Sequence, residues 1–167
     1  MAKNRGKAFE QVVRKAFEQV PNTSVDRVHD QTTKYRGSTN ICDFIVYRKP
    51  YEYYIECKAV HGNILSIHSI PKLGKDGKLH GFYGNITDAQ WQGLLEKSKI
   101  VGVRAGVICW WVNHDVTKFL SIEDLEQLKT WGFKSVRFDQ LCGQLIPGKK
   151  KRVFFEYDME AFLDEFI

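Results

Sequence analysis

Three side chains in the first half of the chain have the types and spacing that phosphodiester hydrolysis requires. Asp43 is followed, after twelve intervening residues, by Glu56-Cys57-Lys58. Side chains alternate between the two faces of a strand, so Glu56 and Lys58 would project from one face. Asp43 reaches the same patch if it lies on the neighbouring strand. Two carboxylates suit Mg²⁺, with Mn²⁺ as an alternative, and the ammonium would orient a nucleophile or stabilise charge developing on phosphate.

The acid-x-Lys triplet alone is a weak signal. The chain contains a second one, Asp76-Gly77-Lys78, in a glycine-rich stretch that does not favour a rigid strand. A surface strand with an ordinary charge pair explains Glu56 and Lys58 equally well. Asp43 favours the functional interpretation, because an acid inside an apolar run costs free energy unless it is paired or binds a metal.

The elements that must position these residues follow from hydrophobic spacing. Residues 41–47 and 51–60 are apolar and rich in β-branched and aromatic side chains, and Arg48-Lys49-Pro50 separates them. We therefore expect an antiparallel hairpin. Apolar residues recur at helical spacing over residues 4–20, which predicts a first helix. Residues 22–40 are polar and basic, which favours an irregular segment or a weak hairpin.

Two residues on predicted helices have competing interpretations. Glu10 lies at the margin of the apolar stripe of the first helix, where it faces either the site or solvent. Gln90 stands three residues after Thr87 at the start of a second helix. It either completes a capping box with Thr87 or supports the site.

The remaining pattern indicates one α/β domain over residues 1–167. Residues 103–112 form a nearly continuous apolar run, typical of a strand buried on both faces. A helix from Ser121 to Trp131 and a short C-terminal helix follow, which gives the order α-β-β-α-β-α-β-β-α without repeats or linkers. Alternation of this kind is typical of an α/β fold.

Composition and charge narrow the function classes. The chain has 167 residues, 13% aromatics and a net charge of +5, which excludes a disordered or fibrous chain. Residues 1–155 hold 25 basic and 15 acidic residues, a net charge of +10 that suits a polyanionic partner. The four cysteines form no CxxC pair, which argues against a zinc site. No apolar stretch predicts a membrane span or a leader, so we expect a cytoplasmic protein without membrane or small-molecule cofactor.

Two basic segments and the N-terminus are candidates for phosphate contacts. Residues 61–86 predict an exposed basic loop or ribbon, and residues 149–167 a basic run followed by a strand and a helix. Such clusters either bind the DNA backbone without reading sequence or form solvated surface. The candidate DNA-binding residues are Arg5, Lys7, Lys72, Lys75, Lys78, Lys149, Lys150, Lys151 and Arg152.

These motifs together resemble a known nuclease family. The set Asp43, Glu56 and Lys58 is similar to the PD-(D/E)xK nuclease signature. The opening Asn4-Arg5-Gly6-Lys7-Ala8-Phe9-Glu10 resembles the Asn-Arg-Gly-x-x-x-Glu start of RecU-type Holliday junction resolvases. The chain departs from that pattern at Cys42, where the superfamily usually has Pro, and at Ile41, where RecU-type enzymes have Thr. Thr39 or a water would replace the missing ligand.

The resemblance implies a restriction-endonuclease-like core with a mixed central sheet flanked by helices. It implies a homodimer, of phage type given the compact chain, that cuts four-way DNA junctions with Mg²⁺. Asp43, Glu56 and Gln90 would bind the metal, Lys58 would stabilise the transition state, and Glu10 would complete the catalytic set. The alternatives are a related nuclease that cuts duplex DNA and a non-catalytic basic DNA-binding module.

Overall fold

The computed structural model describes residues 3–28, 40–68 and 70–165, which form helices and short strands in alternation. The elements are α1 (Lys3–Glu18), β1 (Ser24–Arg27), β2 (Phe44–Arg48), β3 (Tyr51–Val60), β4 (Ile64–Ser66), β5 (Ile70–Leu73), β6 (Leu79–Tyr83), α2 (Asp88–Ser98), β7 (Val103–Trp111), β8 (Val116–Ser121), α3 (Ile122–Thr130), β9 (Ser135–Arg137), β10 (Gln144–Leu145), β11 (Gly148–Lys150), β12 (Phe155–Tyr157) and α4 (Met159–Asp164).

A six-stranded mixed sheet in the order β1-β2-β3-β7-β8-β10 forms the centre of the molecule. The predicted hairpin is confirmed, because β2 and β3 pair antiparallel around a cis Lys49–Pro50 peptide. The long strands β3 and β7 pair in parallel along their whole lengths. Each is hydrogen-bonded on both sides, so side chains on β3 have a fixed position on the sheet.

Helices cover both faces of this sheet. On one face α1 and α4 contribute Phe9, Phe17 and Phe162 to a core that also contains Trp110 of β7. On the other face α2 and α3 pack their apolar sides against the sheet in a second core. Because alternate residues of β7 enter the two cores, the strand is apolar throughout, as its sequence predicts. The fold is therefore α/β, with a mixed central sheet flanked by helices.

Among the helices that the structure describes, none has both the length and the apolar character needed to cross a lipid bilayer.

The structure adds elements that hydrophobic spacing does not predict. Strand β8 was missed, because Lys118 interrupts its apolar pattern. Its side chain is nevertheless buried, and Nζ donates to the Gln140 carbonyl oxygen at 2.5 Å. Within residues 22–40, β1 forms the edge of the central sheet, and residues 29–39, including Thr39, lie outside the described residues. Residues 61–86 contain the three strands β4, β5 and β6. Because β5 and β6 pair with each other as a ribbon, this segment is not a loop.

A glycine on α2 allows the chain to approach the sheet closely just before Asp43. A Cβ atom at Gly93 would lie 2.7 Å from Ile41 Cβ, well inside van der Waals contact. The absence of a side chain at Gly93 therefore sets the path of the chain through Ile41 and Cys42 into β2.

Replacing this glycine tests that packing against a matched helical glycine. Gly93→Ala should lower the free energy of unfolding by about 1–2 kcal/mol, because overlap with Ile41 outweighs the better helix propensity of alanine. Gly6→Ala in α1, where an added Cβ meets open space, should raise it by about 0.5–1 kcal/mol. Denaturant unfolding measures both. Equal stabilisation by the two variants would contradict the close approach.

Candidate active site

Strand β3 presents Glu56 and Lys58 as the sequence predicts, on one face and in contact. Lys58 Nζ lies 2.7 Å from Glu56 Oε1. The Glu56 residue is only 3% exposed, although it carries a carboxylate in the middle of a strand. The Lys58 side chain is 22% exposed, so its ammonium remains within reach of a ligand. This is a buried ion pair rather than the solvated charge pair of a surface strand.

Asp43 stands immediately before β2 and is fixed against β3. Its Oδ2 accepts a hydrogen bond from the Cys57 backbone N–H at 2.7 Å. Its own backbone N–H donates to the Ile55 carbonyl oxygen at 3.0 Å. These bonds hold the carboxylate beside the strand that carries Glu56, and they explain how an acid is accommodated inside an apolar run.

Gln90 performs both of the actions that the sequence left open. Its Oε1 accepts from the Thr87 backbone N–H at 3.1 Å, and its backbone N–H donates to Thr87 Oγ1 at 3.2 Å, which completes a capping box. Its Nε2 donates to Glu56 Oε1 at 2.7 Å. Helix α2 therefore orients Glu56 through its first turn. Metal binding by the Gln90 amide oxygen stays a prediction.

Glu10 faces the site and not only solvent. Its carboxylate lies 3.6 Å from the Arg27 Nε atom, measured from Oε1. Glu10 and Asp43 line one cavity of about 220 Å³, to which both α1 and α2 contribute. The lining residues are Glu10, Arg27, Val28, Asn40, Cys42, Asp43, Glu56 and Gln90.

A larger cavity lies elsewhere, at the start of β7. It measures about 780 Å³ and is lined by Tyr51, Arg104 and residues 98–103, among others. None of the predicted catalytic residues lines it. We place the site in the smaller cavity, because size alone does not bring together groups that can act on a substrate.

The pKa shifts show that the cavity disfavours negative charge. The pKa of Glu56 is raised to about 7, chiefly by burial; the Lys58 ammonium opposes this shift and the Asp43 charge adds to it. Burial also raises the pKa of Glu10, again with a contribution from Asp43. The Cys42 thiol has its pKa raised to about 12, chiefly by burial and then by Glu56 and Asp43. The Asp43 carboxylate therefore repels both the Glu10 and the Glu56 carboxylates.

The donor set fits a hard divalent cation. Asp43, Glu56 and Glu10 offer carboxylate oxygens to one cavity. In the described part of the chain, no three His, Cys, Asp or Glu side chains already stand close enough to enclose a metal ion. Mg²⁺ does not need such an enclosure, because it binds through one or two carboxylates, several waters and the phosphate of a substrate.

Arg27 and Asn40 are cavity residues that sequence reasoning missed. Both lie in the polar segment between α1 and β2, where no periodicity marks a functional position. Arg27 reaches the cavity because β1 pairs with β2 and sets Arg27 opposite Phe44, next to Asp43. The segment contains several basic residues, and only strand pairing singles out Arg27.

The predicted phosphate contacts fall into three groups. Lys7 is exposed and Arg5 is half-buried in the first turns of α1. In the 149–152 run, Lys150 pairs with Asp115, and Lys151 Nζ lies 2.6 Å from Glu156 Oε2. Lys72, Lys75 and Lys78 are exposed on the β5–β6 ribbon. The C-terminal run is therefore partly neutralised by acidic neighbours.

Comparisons with known proteins identify a structural likeness. No family model and no curated protein sequence matches the chain. Among solved structures, the chain is similar to Hjc, a Holliday junction resolvase from the archaeal hyperthermophile Archaeoglobus fulgidus, with a TM-score of 0.45 and 16% sequence identity. The match covers 71% of this chain and 78% of that chain. At this level of similarity, the roles of the residues in the cavity rest on their own geometry.

The raised pKa of Glu56 predicts that this residue destabilises the metal-free protein at neutral pH. The pKa of this carboxyl group is about 7 in the folded protein, against an ordinary value of 4.5. The free energy of unfolding therefore falls as pH rises through that interval. Glu56→Gln should therefore raise the free energy of unfolding by about 1–3 kcal/mol at pH 8 and by less than half as much at pH 5. Denaturant unfolding in EDTA at the two pH values measures this.

Glu52→Gln is the matched control, because Glu52 lies four residues earlier on the same face of β3. It should change stability little at either pH. A Glu56→Gln variant that is destabilised at pH 8 would mean that the Lys58 ion pair outweighs the cost of burial.

Proposed function

We propose that the chain is a divalent-metal-dependent endonuclease that cuts branched DNA, with four-way junctions as its substrate. The observation that carries this proposal is the joint position of Asp43, Glu56 and Lys58. Two carboxylates face one cavity, and an ammonium lies 2.7 Å from the deeper carboxylate. Retaining a buried carboxylate with a raised pKa costs stability, and such costs are concentrated at functional sites.

Asp43 and Glu56 would hold Mg²⁺ or Mn²⁺ in this site. A bound cation supplies a water of lowered pKa and neutralises charge on the phosphate that is attacked. It would also relieve the mutual repulsion of the carboxylates, which is the electrostatic feature that the fold leaves uncompensated. The raised pKa of Glu56 supports this assignment, because a group that is unstable as a lone anion gains most from a cation.

Each protein group near the cavity has a separate action in this proposal. Lys58 donates hydrogen bonds to the attacked phosphate and stabilises the charge that develops there. Gln90 keeps Glu56 in a fixed orientation through its Nε2 hydrogen bond. Glu10 accepts a hydrogen bond from a water that enters the cavity, and Arg27 holds Glu10 in place and attracts a phosphate.

The charge distribution supports a nucleic-acid substrate. The chain has a net charge of +5, and the acidic residues after position 155 conceal a stronger positive charge in the rest of the chain. Non-specific contacts of Lys7 and the ribbon lysines with phosphates position the DNA without reading its sequence. A homodimer with two-fold symmetry would place two such sites on opposite strands of a four-way junction, which has the same symmetry.

Cleavage assays test the chemistry. With a synthetic four-way junction in Mg²⁺, Asp43→Asn and Lys58→Met should each lower the rate at least about 100-fold, because each removes a group that acts on the transition state. Glu160→Gln, which alters an exposed acid in the first turn of α4, should cleave at the wild-type rate. EDTA should abolish cleavage, and Mg²⁺ or Mn²⁺ should restore it.

The same assay separates the alternatives. Equal cleavage of a linear duplex of identical sequence would mean a general duplex nuclease. Binding of the junction in EDTA with no cleavage in either metal would mean a non-catalytic DNA-binding module. Light scattering of the free and junction-bound protein measures its mass and so tests whether it is a dimer.

A further inference from the structure

The β5–β6 ribbon is a separate element with a hydrogen-bonded turn at its tip. Its two strands form their own two-stranded sheet, and residues 74–77 form the turn. Gly74 N–H donates to the Lys78 carbonyl oxygen at 2.9 Å, and Gly77 adopts a positive φ of 73°. Asp76 Oδ1 accepts from the Lys78 N–H at 3.1 Å and lies 3.0 Å from His80 Nε2. These hydrogen bonds connect the turn to the start of β6.

Two leucines are exposed at this tip. Leu73 and Leu79 stand directly opposite each other in the ribbon, so their side chains share one face. They are 65% and 57% exposed. Isolated exposed apolar residues are ordinary, but a cross-strand pair beside a turn presents a continuous apolar edge.

Three lysines lie next to this edge in the sequence. Lys72 precedes Leu73, Lys78 precedes Leu79, and Lys75 lies in the turn between them. All three lysines are exposed. An exposed apolar pair with cations beside it in the chain is complementary to DNA, which has stacked apolar bases inside a phosphate backbone.

The base of the ribbon is tied to the candidate active site. Ser66 N–H donates to Asn85 Oδ1 at 2.7 Å, which joins the incoming and outgoing legs. Ile67 and Ile86 are buried in the core beneath α2. The outgoing leg continues through Ile86 into the Thr87 cap, and Gln90 then contacts Glu56. Only a few residues therefore connect the ribbon to Gln90 and its contact with Glu56.

We propose that the ribbon is a DNA wedge that inserts Leu73 and Leu79 between bases at a branch point. Apolar side chains that enter a base step unstack it, at a cost of a few kcal/mol per step. This cost is smaller where bases are already poorly stacked or unpaired. The wedge therefore selects branched over linear DNA, while Lys72, Lys75 and Lys78 bind the flanking phosphates. The inference rests on the proposed function, since it specifies how that site chooses its substrate.

Fluorescence of 2-aminopurine tests the wedge independently of cleavage, because the probe brightens when its base leaves the stack. The wild-type protein in EDTA should increase the signal of a probe at the branch of a four-way junction and not of a probe in an arm. The double variant Leu73→Ser/Leu79→Ser should remove the increase and lower the ratio of junction affinity to duplex affinity about tenfold, with duplex affinity kept. Leu145→Ser, which alters another exposed leucine on β10, should behave as wild type.

A charge variant separates phosphate binding from wedging. Lys72→Gln/Lys75→Gln/Lys78→Gln should weaken junction and duplex binding alike and reduce the salt slope of the affinity by about 2–3. An unchanged 2-aminopurine response in the leucine double variant would overturn the wedge, as would a loss of dimer mass in that variant, which would make the ribbon a protein contact.

The outcomes distinguish the wedge from the proposed function. If the wild type cleaves the junction but the probe signal does not depend on the two leucines, the wedge is overturned and the proposed function is not. A leucine-dependent signal without cleavage in Mg²⁺ or Mn²⁺ supports the wedge and overturns the nuclease. If the wild-type protein binds neither the junction nor the duplex, the wedge and the proposed function are both overturned.

Discussion

Removing the Glu56 carboxylate from water costs free energy, and the surrounding structure offsets only part of that cost. Lys58 supplies a counter-charge and Gln90 a hydrogen bond, yet the pKa of the group is still raised to about 7 because burial and the Asp43 charge act against them. A protein selected for stability alone gains by an apolar residue at this position. The uncompensated charge is therefore the feature on which the proposed metal site rests.

The layered architecture explains how distant segments reach this one carboxylate. Parallel pairing of β3 with β7 holds Glu56 in the centre of the sheet. Helix α1 lies on one face and α2 on the other, and both contribute to the cavity where β2 begins. Glu10 and Gln90 thus approach from opposite layers. Their positions depend on packing against rigid strands, which is the usual way in which a fold preorganises a site.

Charge near the site is distributed unevenly in a way that net charge does not show. Acidic neighbours partly neutralise the 149–152 run, whereas the ribbon carries three exposed lysines beside an apolar edge. The ribbon and β3 are joined through the cap of α2, so in the proposed function recognition and chemistry would share one element. This proximity follows from the short connection between Ile86 and Gln90.

The sequence by itself determined the hairpin, the main helices, the buried strand β7 and the pairing of Glu56 with Lys58. These features depend on periodicity and on the alternation of side chains in one strand, which are local properties. Only the tertiary structure decided that Gln90 both caps α2 and contacts Glu56, that Arg27 joins Glu10, and that β8 with its buried Lys118 belongs to the central sheet. Contacts of this kind join segments far apart in the chain, and no local pattern encodes which polar group will meet which.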